Sequence, residues 1–235
     1  MDSFNAAMSA GLSLKQVRKS YRISKEVVTI FDDLNLEIAQ GDFIAVVGPS
    51  GSGKSTLLNL IGGIDRPDFG EISFAHTRLD MLSEAELTAW RGANVGFVFQ
   101  FYNLMPMLTG AQNIELPLLL TSLNSRQRRD RVQTLLELVG LEDRGRHLPS
   151  ELSGGQRQRI GIARALASDP KLLLCDEPTG DLDRETADDA LKVLRILNAE
   201  LGKTIVMVTH DEIACHSART VLRLDKGQFV TQRAA

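Results

Sequence analysis

Hydrophobic and polar positions fall into two regimes along the chain. Residues 12–17 and 27–38 alternate in part between apolar and polar side chains, the pattern of strands with one covered face. Residues 42–47, 171–175 and 204–208 are nearly continuous apolar runs, which is how strands read when both faces of a parallel sheet are buried. Residues 95–99 form a further strand. Helical spacing predicts helices over 55–61, 154–167 and 184–201, and a mostly helical stretch over 107–139 broken at Pro117 and at Asn124 and Ser125. Ser83 with Glu86 matches a capping box. A strand pair is predicted over 220–230, turning at 225–227, and residues 1–11 read as a loose leader. Strand–helix alternation in the second half predicts a parallel α/β sheet.

Composition narrows the class. With 235 residues, 43% hydrophobic and 24% charged, the chain has enough apolar surface for a core and suits one large domain or two small ones. The longest apolar runs, 43–47 and 116–120, are five residues each. A bilayer-crossing helix needs roughly 20, and no signal peptide is visible, so the chain is expected not to cross a membrane alone. The net charge of −3 gives no basic surplus, so no nucleic-acid partner is expected. Two cysteines are too few for a secreted disulfide framework and point to a reducing compartment.

Three segments carry chemistry. Gly48, Pro49, Ser50, Gly51, Ser52, Gly53, Lys54 and Ser55 follow a strand and open a helix. This is the P-loop pattern, and average residue frequencies produce it by chance in about 1% of chains this long. Its glycines let backbone N–H groups converge on phosphate oxygens, Lys54 reaches the β- and γ-phosphates, and the Ser55 hydroxyl suits Mg²⁺. Asp176 and Glu177 end an apolar strand at the edge of the sheet where ligands bind. Asp176 fits a Mg²⁺-holding acid. Strand alternation is expected to turn Glu177 another way, toward an attacking water. Finally, Leu152, Ser153, Gly154, Gly155 and Gln156 make a helix start in which Ser153 and Gln156 form a capping box and the two glycines leave amides bare. A second anion site on one chain implies that two chains share each nucleotide.

With these motifs the sequence resembles the ATP-binding cassette (ABC) family. The P-loop is its Walker A, 152–156 its signature and 172–176 its Walker B. Gln100, ending 97–100, resembles the Q-loop glutamine; Asp183 resembles a D-loop residue; His210, ending 206–210, resembles the switch histidine. Tyr21 lies where the family places an aromatic that stacks on adenine, and Thr56 directly follows the P-loop. The resemblance implies an ABC-type P-loop NTPase fold: one domain over 1–235, with a parallel core sheet, an N-terminal antiparallel β subdomain and an inserted helical subdomain over about 101–168. It implies ATP hydrolysis with Mg²⁺ held by Ser55 and Gln100 and supported by Asp176. Glu177 is then the general base, His210 contacts the γ-phosphate, and Ser153 closes over the nucleotide of an opposing copy.

Residues 99–106, 149–159 and 176–183 resemble the branch containing LolD, MacB and FtsE. That branch implies a separate ATPase bound to a membrane permease, on the cytoplasmic face of the inner membrane, driving export, lipoprotein release or mechanical signalling. One departure is Glu212 after Asp211, where many relatives carry Pro. A P-loop phosphotransferase explains neither the signature nor His210, and a soluble ABC ATPase acting on DNA or ribosomes lacks its usual coiled-coil insertion or second cassette here.

Weaker features complete the reading. The largely apolar 101–107 is expected to form part of a groove for the membrane partner. Tyr21 is alternatively a packed strand residue. The four arginines of 126–131 read as a solvated helix face, since no aromatics interleave them. Cys215 and His216 are adjacent and on a helix point apart, against a metal site. Trp90 is expected in the core, and His76 and His147 fit no pattern.

Overall fold

The computed structural model describes residues 10–24 and 26–230. The N-terminal strands are long: β1 (Ala10–Ile23) pairs antiparallel with β2 (Glu26–Ala39) and, on its other edge, with β4 (Phe69–Phe74), which pairs with the short β5 (Thr77–Arg78). The expected loose leader therefore ends earlier: residues 10 and 11 already belong to β1, and 1–9 lie outside the described residues. β4 escaped the periodicity, because its one glycine and exposed Phe69 blur the alternation.

The second sheet holds six strands in the order β10-β9-β3-β8-β7-β6: β3 (Phe43–Val47), β6 (Val95–Phe99), β7 (Leu172–Asp176), β8 (Thr204–Val208), β9 (Thr220–Asp225) and β10 (Gln228–Val230). β9, β3, β8, β7 and β6 are parallel, and β10 folds back antiparallel through Lys226 and Gly227, both left-handed. This is the predicted parallel core with a predicted antiparallel β subdomain beside it.

The continuous apolar runs are explained by two cores sorted by alternation. Phe43, Ala45, Leu173, Cys175, Ile205 and Met207 face one side, where α5 (Gly154–Ala165) and α6 (Arg184–Ala199) pack. Ile44, Val46, Leu172, Leu174, Val206 and Val208 face the other, against α1 (Lys54–Ile61) and the antiparallel sheet. The capping box at Ser83 opens α2 (Glu84–Asn94), whose Trp90 is buried edge-on to Phe74 at 5.9 Å.

The stretch 107–139 is mostly helical, with its breaks where expected. It resolves into α3 (Gly110–Glu115), a 3₁₀ turn over Leu116–Leu120 and α4 (Ser125–Leu138) capped by Asn124. Pro117 tightens the middle segment because it lacks the N–H that an α-helix needs. α7 (Glu212–Cys215) is a single turn after β8. Among the described residues, no helix is long and apolar enough to cross a membrane.

Candidate functional site

β3 delivers the chain to the centre of the parallel sheet, and residues 48–53 turn sharply before α1 begins at Lys54. Gly51 and Gly53 have φ of 81° and 103°, left-handed conformations that strain any side chain. A Cβ on Gly53 would also lie 2.8 Å from the Phe31 ring. Lys54 Nζ donates to the Gly48 and Pro49 carbonyls at 2.8 and 3.1 Å, tying the first helical turn across the loop entrance. Ser52 is buried, and its hydroxyl has no hydrogen-bond partner among the described residues.

Strand pairing brings the other residues to the loop. Phe99 of β6 pairs with Asp176 of β7, so Gln100 and Asp176 leave adjacent strands at the same sheet edge. Ser50, Gly51, Gly53, Lys54, Ser55, Thr56, Gln100, Asp176 and Glu177 line one pocket of about 370 Å³, with Ile30 of β2 closing it. Ile30 was not legible as a site residue: inside an ordinary strand, only the fold puts it beside the P-loop.

One expectation fails here in an informative way. Alternation does not turn Glu177 away from Asp176, because β7 ends at Asp176 and Glu177 adopts φ 48°. The left-handed turn returns both carboxylates to the same pocket. Its N–H donates to Val208 O at 2.9 Å, and its carbonyl accepts from Gly180 N–H at 3.1 Å. A left-handed non-glycine residue costs about 1–3 kcal/mol, and such strain clusters at functional sites. Burial, then the neighbouring charge of Glu177, pushes the Asp176 carboxyl up, while Lys54 pulls it down. His210 follows β8 and places Nδ1 2.9 Å from Glu177 Oε2. Gln100 Nε2 reaches Asp181 Oδ1 at 3.4 Å.

The signature residues are not part of this pocket. Ser153 caps α5: its hydroxyl accepts from Gln156 N–H at 3.3 Å, and Gln156 Oε1 accepts from Ser153 N–H at 3.0 Å. Gly154 lies near the Tyr102 hydroxyl, and Gly155 is pressed against Thr186 of α6. Asp183 is the N-cap of α6, accepting from Thr186 N–H at 3.0 Å and Thr186 Oγ1 at 2.9 Å; these bonds hold its carboxyl down.

Tyr21 is not itself a pocket-lining residue, but its hydroxyl is hydrogen-bonded with Thr56, which is. The Tyr21 hydroxyl donates to Asp65 Oδ2 at 2.7 Å, and Lys19 Nζ sits 4.9 Å from its ring centroid while donating to Asp65 Oδ1 at 2.7 Å. Burial, then the bond to Asp65, raises the Tyr21 hydroxyl. The ring is half-buried and held by a network rather than packed in the core. Lys19 and Asp65 carried no sequence signal. Cys215 packs against the core whereas His216 is exposed, so the two diverge as expected, although both border a second groove with His210 and Pro49. Among the described residues, no group of three or more His, Cys, Asp or Glu is placed to hold a metal ion.

Comparison with known proteins settles the family. A family profile described as "ABC transporter" matches residues 31–180. The chain belongs to the ABC transporter family. It is an ATP-binding subunit of that family and hydrolyses ATP. The cassette is 42% identical to MJ0796 of Methanocaldococcus jannaschii, an ABC transporter ATP-binding protein, covering 92% of this chain and 94% of that one. It is 44% identical to the lipoprotein-releasing system ATP-binding protein LolD of Chromohalobacter salexigens, covering 93% and 92%. A solved dimeric post-hydrolysis state of MJ0796 bound to ADP and Pi superposes with a TM-score of 0.87 at 40% identity, covering 94% of this cassette and 97% of that chain.

Proposed function

We propose that two copies of this cassette close head to tail on ATP and drive a membrane permease partner of the LolD/MacB/FtsE type. The observation carrying this reading is the separation of the signature cap from the pocket: one chain lines the P-loop site but keeps Ser153, Gly154, Gly155 and Gln156 outside it. A second copy turned head to tail supplies the missing wall. The relative MJ0796, solved as a dimer with ADP and Pi, supports pairing of two copies.

In this reading Lys54 and the amides of residues 51–55 bind the β- and γ-phosphates, and Thr56 continues the cradle. Tyr21 stacks on adenine. Glu177 takes the proton of the attacking water, an effect typically worth about 10²- to 10⁴-fold, while His210 orients that carboxylate and reaches the γ-phosphate. Asp183, near the α5–α6 contact, lies on the side that meets the partner copy. Residues 101–168 behave as one helical subdomain.

The donor set also fits Mg²⁺. Ser55, Gln100 and Asp176 offer a hydroxyl, an amide and a carboxylate at one pocket, the oxygen ligands this hard cation prefers. When bound, Mg²⁺ neutralises charge on the β- and γ-phosphates.

The cassette then works on the cytoplasmic face of the inner membrane. Export or lipoprotein release is favoured over a purely mechanical FtsE-like role by the named relatives LolD and MacB. The test is Glu177→Gln with ATP, followed by size-exclusion and pull-down. ATP binding without turnover, a trapped dimer and a captured permease are expected. Turnover at the normal rate overturns the assignment of the base.

A further inference from the structure

We infer that Gln158 is a positioning residue for hydrolysis: from inside α5 it holds the Pro178 carbonyl and so sets the turn that presents Glu177. Gln158 is 0% exposed, and its Nε2 donates to Pro178 O at 2.7 Å. The amide orientation is fixed, because a carbonyl only accepts and so must face the NH₂ end. The other end, Oε1, is buried with no hydrogen-bond partner among the described residues. A leucine or methionine would fill this space without the orphaned Oε1 but would leave the Pro178 carbonyl unpaired, so it is the bond to Pro178, not packing, that accounts for glutamine here.

What the bond holds is the strained part of the site. Pro178 directly follows Glu177, whose φ is 48°. The turn's backbone ties, such as Glu177 N–H to Val208 O and Gly180 N–H to Glu177 O, are local to the sheet edge, and His210 holds the Glu177 carboxylate rather than the turn. Gln158 provides a tie from a different element, the helix whose N-terminus is the Ser153–Gln156 cap. It lies five residues along α5 from Ser153, about 7.5 Å at the helical rise. A shift of the cap on a partner's nucleotide is therefore carried by a rigid helix to this chain's own general base. The proposal rests on the reading of Glu177 as that base, and it gives each ATP site a physical route to the other.

The test is steady-state and single-turnover ATP hydrolysis by full-length Gln158→Met, alone and combined with Glu177→Gln. Gln158→Met should lower kcat by roughly tenfold or more with KM for ATP within about twofold. The double variant should be no slower than Glu177→Gln alone, because Gln158 acts through the group already removed. An unchanged kcat overturns the proposal, as does a parallel loss of kcat, ATP affinity and melting temperature, which marks a merely structural residue. Losses that multiply in the double variant overturn this proposal alone, whereas full turnover by Glu177→Gln overturns the base assignment and this proposal with it. Gln158→Leu gives the same readings if the methionine variant does not fold.

Discussion

His210 and Glu177 meet twice: His210 Nδ1 lies 2.9 Å from Glu177 Oε2, and the His210 backbone N–H donates to the same oxygen at 3.2 Å. The carboxylate side chain is 15% exposed and the imidazole 70%, so the ring covers the solvent side of an otherwise enclosed acid. Both contacts fall on one oxygen, and in the proposed reading the other takes the proton from water. His210→Ala keeps the backbone bond and removes the ring bond. It should lower kcat by about 10²-fold with a small change in KM, measured by phosphate release. A loss confined to KM would move His210 from orientation to nucleotide binding.

Asp176 links stability to chemistry with opposite signs. Burial, then Glu177, raises its carboxyl, so ionised Asp176 destabilises the fold. For an acid raised in the folded state, that cost is present above the folded value and fades as pH falls below the unfolded one. Asp176→Asn should therefore raise the melting temperature of the nucleotide-free chain at pH 7 by about 2–4 °C, with the gap closing at acidic pH, while hydrolysis collapses. Calorimetry over a pH series checks the sign.

Asp65 is the reverse case. Burial acts to raise its carboxyl, but hydrogen bonds from Lys19 and Tyr21 outweigh burial and hold it below the ordinary value. Its stabilisation is present above the unfolded value and is lost as pH falls through the folded one. Asp65→Asn should cost about 1–2 kcal/mol at pH 7, a cost that shrinks as the pH falls through the lowered folded value, measured by denaturant titrations. Because Asp65 fixes the Tyr21 hydroxyl, KM for ATP should rise as well.

Gly155 leaves no room for a methyl group: its Cβ would lie within van der Waals overlap of Thr186 Cγ2. Gly155→Ala should destabilise by about 1–3 kcal/mol, and Thr186→Ser, which deletes that Cγ2, should recover most of the loss. Chemical denaturation of the single and double variants measures this coupling.

The segment after Gln100 is apolar but not uniformly exposed. Phe101 and Met107 are 69% and 81% exposed, whereas Leu104 packs on the core and Tyr102 lies under Arg157, with its carbonyl held by Arg164. Phe101→Ser with Met107→Ser should reduce permease co-purification. Leu104→Ser should instead lower the melting temperature, which separates a partner surface from core packing.

Much of this protein was written locally. The glycines of 48–53, the apolar strands ending at Val47 and Asp176, and the caps at Ser83 and Ser153 each depend on neighbours a few residues away, so a linear reading recovers them. The parallel sheet was equally legible, because burial on both faces leaves an apolar run that no one-sided strand needs. Assembly was not. The return of Glu177 to Asp176's side depends on a left-handed turn that alternation cannot foresee. The places of Ile30, Lys19 and Asp65, and the bond from Gln158 to Pro178, join residues separated by 20 or more positions. Sequence by itself determined the chemistry of the P-loop and signature, since backbone conformation and capping are short-range. Only the tertiary structure decided how the expected separation of those two motifs is held, because packing α5 against α6 and the sheet fixes where each helix begins.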